Sequence, residues 1–129
     1  SGVESLKYVS LKIFSETGAI PTADLMIESS GKNLHAHATG DGLVDAAFKA
    51  VEMIVPGDRI LLLYSVNAIT AGSDSQGEVS VRLQEGDRVV NGQGADTDIV
   101  VASVKAYVNG LNKLQSGQKR TNPQSGATV

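Results

Sequence analysis

The sequence holds no cysteine and no tryptophan, three prolines, and only two Phe and three Tyr among its 129 residues. Without cysteine there is no disulfide framework and no zinc–thiolate site. No apolar run approaches the roughly 18 residues of a membrane span, and no secretory signal is visible. The longest run, Ile60 to Tyr64, has the length of a strand. Basic charge is also scarce: 11 Lys and Arg stand against 14 Asp and Glu, which argues against a nucleic-acid surface. These absences point to a cytoplasmic domain with one modest core, no membrane contact and no nucleic-acid partner. Ser1-Gly2 at the head, with no Met, reads as a cleavage scar. Residues 1–4 then read as a linker remnant and the chain as a piece of a longer one.

Small residues are plentiful, and the pattern they punctuate is regular. Tyr8 to Phe14 alternates, with Val9, Leu11 and Ile13 on one face, as a strand does. Ala23, Leu25 and Ile27 alternate with Asp24, Met26 and Glu28; after the turn Ser30-Gly31-Lys32, Leu34, Ala36 and Ala38 alternate with His35 and His37. Val44, Ala47, Phe48 and Val51 then recur with a helical period that Pro56-Gly57 stops. The second half follows the same order. Ile60 to Ile69, Val79 to Leu83 and Arg88 to Asn91 read as strands, and Val100, Val104, Tyr107 and Leu111 form a helical stripe. Past Leu114 the polar, Gly-, Ser- and Gln-rich residues 116–129 read as a disordered tail.

The two halves superpose: Lys49-Ala50 falls on Lys105-Ala106, an offset of 56 residues (105 less 49) at which Ile13 falls on Ile69 and Leu25 on Val81. The expected fold is therefore α+β: two βββα units, about 6–55 and 60–113, related by an internal pseudo-two-fold. Two small antiparallel sheets with two helices bury little alone, so the unit is expected to dimerise.

Glycines and acids cluster where both helices begin. A helix start carries unpaired N–H groups and about half a positive charge. Asp41 is the candidate cap of the first helix, and Thr97 or Asp96 of the second. Gly40, Gly42, Gly92 and Gly94 read as places where another molecule approaches the backbone. The two-fold should bring the starts together to hold a carboxylate, with Asp41, Asp45 and Asp96 near enough to receive an ammonium. Carboxylate and ammonium together are the head of a free amino acid. The competing reading is that each Asp-Gly is only a cap and a turn.

His35 and His37 lie on one strand face, as a metal pair would, but no third ligand is evident in the sequence. Two exposed histidines are the preferred reading over a small metal enzyme. Tyr64 sits in an otherwise apolar strand where its phenol needs a partner, and a pocket would supply one.

Several segments, GDGLVDAAFKA (40–50), AITAGSDSQGEVSVRL (68–83) and GQGADTDIVVASVKAYVNGLNKL (92–114), together with the opening YVSLKIFSETGAIPTADLMI (8–27), resemble the C-terminal regulatory domain of the 2-isopropylmalate synthase and citramalate synthase family. The resemblance spans roughly residues 5–115. It implies a non-catalytic domain of two βββα units that dimerises and binds an end-product amino acid at the dimer interface. It also implies a parent acyltransferase whose metal-dependent barrel joins acetyl-CoA to a 2-oxo acid. In this sequence Gly40, Asp41, Gly42 and Val44 match the loop that holds the effector's backbone; Leu61, Tyr64 and Ala68 match the strand lining its side-chain pocket; Ser75, Gly77 and Ala95 match the facing loops. Leu43 stands where many relatives have Pro. The segment 5–42 looks more like a bacterial citramalate synthase, which implies isoleucine as effector, with leucine and the isopropylmalate branch as the alternative. A ligand-free homodimerisation module is the reading outside this family.

Overall fold

In the computed structural model, which describes residues 6–71 and 74–120, two three-stranded antiparallel sheets each lead into a helix. The order is β1 Leu6–Phe14, β2 Thr22–Ser29, β3 Lys32–Thr39, α1 Leu43–Ile54, then β4 Arg59–Ala71, β5 Asp74–Glu85, β6 Arg88–Asp96, α2 Ile99–Arg120. Strand order is β1-β2-β3 in one sheet and β4-β5-β6 in the other. The fold is thus α+β with the βββα unit repeated. The remnant assigned to residues 1–4 and the tail beyond 120 lie outside the described residues. Within the expected tail, residues 116–120 continue α2.

Each sheet turns its apolar alternate to its helix. Ala23, Leu25, Ile27, Ala36 and Ala38 meet Ala46, Ala47, Ala50 and Val51 of α1, and Val79, Val81 and Leu83 meet Ala102, Val104 and Ala106 of α2. α1 lies on β2 and β3; α2 lies on β5 and β6, touches α1 and reaches β1. Among the described residues neither helix comes onto the backbone of β4, which meets the helices only through side chains such as Arg59 and Tyr64.

Two bulges correct the simple alternation. In β1 the register shifts between Tyr8 and Ser10, so Tyr8, opposite Ile27, joins Leu11 and Ile13 on the inner face in place of Val9, which is exposed. In β4 it shifts between Leu61 and Leu63, so Leu61 and Tyr64 oppose Leu83 and Val81 and share a face although they are three residues apart. A bulge adds one residue to one strand and reverses the parity beyond it. The repeat is also less regular than the 56-residue offset suggests. Leu11 opposes Leu25 and Tyr64 opposes Val81, separations of 14 and 17 (25 less 11, 81 less 64), so the second unit's first hairpin is three residues longer. Ile13 consequently stands at the register of Val66, not Ile69. Beyond Gly77 the hairpin β4–β5 runs on as a two-stranded arm, since β6 pairs with β5 only as far as Gly77.

β6 extends to Asp96 where the sequence pattern ends at Asn91, and its glycines explain why. A Cβ on Gly92 would lie 2.2 Å from the Ala106 carbonyl oxygen and 2.7 Å from the Gly110 nitrogen; one on Gly94 would lie 2.5 Å from the Ala106 nitrogen. The molecule that approaches these glycines is the chain's own α2, not a ligand.

The two units are tied by side chains. Arg59, with a side chain 4% exposed, donates to the Val55 and Pro56 carbonyls that end α1, stands 3.6 Å from Glu85, and sits over the Tyr107 ring. A guanidinium's fixed fork of donors suits this shared position. Burial pushes the Tyr107 phenol up, against the opposing effect of Arg59. Asn112 of α2 closes two hydrogen bonds on the backbone of Leu6, to its N–H (3.1 Å) and its carbonyl (2.9 Å).

Candidate effector site

The 56-residue offset aligns the helix starts one residue later than the acidic motif suggests: Gly42 precedes Leu43 and Asp98 precedes Ile99. The equivalent positions are built differently. Asp98 is a true N-cap, its Oδ1 accepting from the N–H groups of Val100 (2.8 Å) and Val101 (3.3 Å). The expected caps, Thr97 and Asp96, do not fill that role. Asp96 Oδ1 instead accepts from the Asp98 N–H, and its Oδ2 from Lys105 at 3.0 Å. At α1 the cap is Gly42, in extended backbone with no side chain to offer. Asp41 does not cap the helix either. Its N–H donates to Asp45 Oδ2 at 2.8 Å, and Asp45 also pairs with Lys49 at 3.2 Å.

Three carboxylates were candidates to receive an ammonium, and two are engaged. The hydrogen bond from the Asp41 N–H, aided by Lys49, holds Asp45 below the usual carboxylate range. The Asp98 N–H, aided by Lys105, does the same to Asp96. The exposed carboxylate of Asp41 forms no hydrogen bond or ion pair with any described residue. The first helix start therefore combines uncapped N–H groups with one uncommitted carboxylate; the second is closed by its own Asp98. Around Gly42 a Cβ would meet nothing, whereas Gly40 is packed against the α1 backbone at Ala46.

A line of contacts joins the two helix starts. Val44, half-buried, stands one turn before Phe48 on the same α1 stripe. The Phe48 ring meets Tyr64 edge-on at 5.9 Å and Tyr107 at 5.0 Å. The Tyr64 hydroxyl is 2.7 Å from Ser103 Oγ, and Ser103 donates to the Ile99 carbonyl at 2.8 Å. The Ile99 side chain covers Gly77, where a Cβ would lie 2.0 Å from its Cδ1. Val44, Tyr64 and Gly77 are thus linked only through Phe48, Ser103 and Ile99, and Leu61 shares the Tyr64 face. Ala68 stands opposite Gly77 by register, though its side chain lies outside the described residues; Ser75, exposed, opposes Thr70 farther along the arm. Ala95 is not brought in: it opposes Glu78, on the other face of the sheet from Gly77. The phenol that needed a partner finds it in Ser103, which the sequence reading missed. The signal was present, a polar residue inside the apolar stripe of α2.

His37 pairs with Asp24 across β2–β3, while His35 opposes Met26. Among the described residues no three His, Cys, Asp or Glu are grouped to hold a metal. An open cleft of about 510 Å³ between β3 and α1, lined by His37, Lys49, Glu52 and Met53 among others, shares no residue with the line from Val44 to Gly77. No helix among the described residues is long and apolar enough to cross a membrane.

Residues 1–115 match the family model described as the LeuA allosteric (dimerisation) domain. The chain is 58% identical over 121 residues to the 2-isopropylmalate synthase of Aromatoleum aromaticum, covering 94% of this chain and 24% of that protein. It is 56% identical over 121 residues to that of Thiobacillus denitrificans, with the same coverage. It is 51% identical over 126 residues to that of Neisseria meningitidis serogroup A, covering 98% of this chain and 24% of that protein. The chain thus spans about a quarter of the length of these relatives. They carry the isopropylmalate name, not the citramalate name, which corrects the lean that segment 5–42 suggested.

Proposed function

Because this chain belongs to the LeuA allosteric (dimerisation) domain family, we propose that it is the sensing part of a 2-isopropylmalate synthase, binding leucine as end-product inhibitor and performing no chemistry itself. The observation that carries this reading is the asymmetry of the helix starts. An amino-acid head needs donors for its carboxylate and an acceptor for its ammonium. The uncapped first turn of α1 supplies the donors, and the uncommitted Asp41 supplies the acceptor. In this reading Leu61 and Tyr64 line the wall for the side chain, and Ala68, opposite Gly77 by register, continues the same strand beyond them. Leucine replaces isoleucine as the preferred effector because the relatives are named 2-isopropylmalate synthase, the branch for which the family resemblance implies leucine. Acetyl-CoA, the divalent metal and the 2-oxo acid belong to the catalytic barrel of the parent chain, and the cytoplasm is where that biosynthesis runs.

The chain acts as a homodimer in this reading. Ile60, Leu61, Leu62, Leu63 and Val66 are between 41 and 59% exposed on the strand that no helix covers, an apolar surface of the kind a second copy buries. Sedimentation equilibrium should give a dimer for the wild type. Leu62→Glu should weaken it by about 100-fold or more, since burying an unpaired carboxylate costs several kcal/mol. A wild-type monomer, or a variant that dimerises as tightly, would contradict the assignment.

A further inference from the structure

We propose that Ser103 is a positioning residue that sets the effector preference of the site by fixing the ring of Tyr64, an inference that rests on Tyr64 lining the effector pocket. Ser103 is fully buried, a short polar side chain set among the apolar residues of α2. Alanine would serve α2 better at this position, for helix propensity and for its apolar stripe. What serine adds is one hydroxyl, and both of its contacts are accounted for. Its single hydrogen goes to the Ile99 carbonyl, so in the 2.7 Å contact the Tyr64 hydroxyl must be the donor. The chain of donation runs from Tyr64 through Ser103 to the first residue of α2.

This hold matters because the packing leaves the ring half-buried. It leans on the core and on the Phe48 edge, while Leu61 and Val66 on the same face are exposed. Without Ser103 the phenol is free to swing toward the open face of β4 to find water. Leucine and isoleucine differ by the position of one methyl. Discrimination between them is at most about 10–200-fold for a site of this kind, and it depends on a wall that does not move. A wall anchored to α2 also makes the preference depend on where α2 begins, the same turn that covers Gly77.

The test uses Ser103→Ala, Tyr64→Phe and the double variant, each titrated with leucine and with isoleucine. Each single substitution should change the ratio of the two affinities by about threefold or more, and the double variant should change it no further, as expected for residues acting through one contact. Separately, in the ligand-free chain, nuclear Overhauser contacts between the Tyr64 and Phe48 rings should weaken in Ser103→Ala. A ratio unchanged by Ser103→Ala, additive effects, or undiminished ring contacts would each overturn the proposal while leaving leucine binding in place. If the wild-type chain binds neither amino acid, the effector reading fails and this proposal falls with it.

Discussion

Gly92→Ala is expected to destabilise the domain by about 3 kcal/mol or more. Adding a methylene to a packed core ordinarily costs about 1–3 kcal/mol, because side chains shift to make room. Here nothing soft stands in the way. The new methyl would lie 2.2 Å from the Ala106 carbonyl oxygen, 2.7 Å from the Gly110 nitrogen and 3.0 Å from its Cα. All three are helix backbone. α2 must lift off β6, and with it Val104 and Tyr107 of the core and the Asn112 grip on Leu6. Against a total stability of about 5–15 kcal/mol, that is a large fraction, and the melting temperature should fall by about 10 °C or more. Gly42→Ala is the control. Its Cβ enters open space, its backbone is extended, and its cost should stay below about 1 kcal/mol. Thermal melts of the two variants decide the matter: equal midpoints would mean that Gly92 is not a helix contact.

Asp41→Ala is expected to separate binding from folding. Had Asp41 capped α1, its loss would cost about 1 kcal/mol of stability. Its side chain makes no such bond, so the cost should stay within about 0.5 kcal/mol, as for an ordinary surface position. Asp98→Ala, which removes the cap that is present at α2, should cost the full kcal/mol or so in the same denaturation experiment. In leucine affinity the order reverses. Losing a charged partner of a bound ammonium costs about 1.5–3 kcal/mol, roughly 10–150-fold in affinity. Wild-type affinity in Asp41→Ala would remove Asp41 from the site. A stability loss as large as that of Asp98→Ala would make it a structural residue after all.

The strands and helices were legible because their causes are local. Alternation over Ala23 to Glu28 and the stripe from Val44 to Val51 each state which face is buried, and the repeat at 56 residues confirms the order in a second copy. What was not legible depends on partners far away in the chain. Whether Val9 or Tyr8 faces inward is decided by a bulge against β2, and no property of residues 8–10 announces it. Gly92 and Gly94 look the same in sequence whether a ligand or a helix approaches them. Only the position of Ala106 and Gly110 shows which. The caps were missed by one residue at one helix and by one or two at the other, because several acids stand in a row and hydrogen-bond geometry chooses among them. Effector identity is the least legible property, since leucine and isoleucine are isomers with one head group.

Calorimetric titration of the chain with leucine tests the central claim most directly. Saturable binding of leucine, tighter than that of isoleucine and lost by at least tenfold in Asp41→Ala, is the result this account predicts. No heat of binding from either amino acid, in a chain shown by its melt to be folded, would contradict it and leave the domain a dimerisation module without an effector.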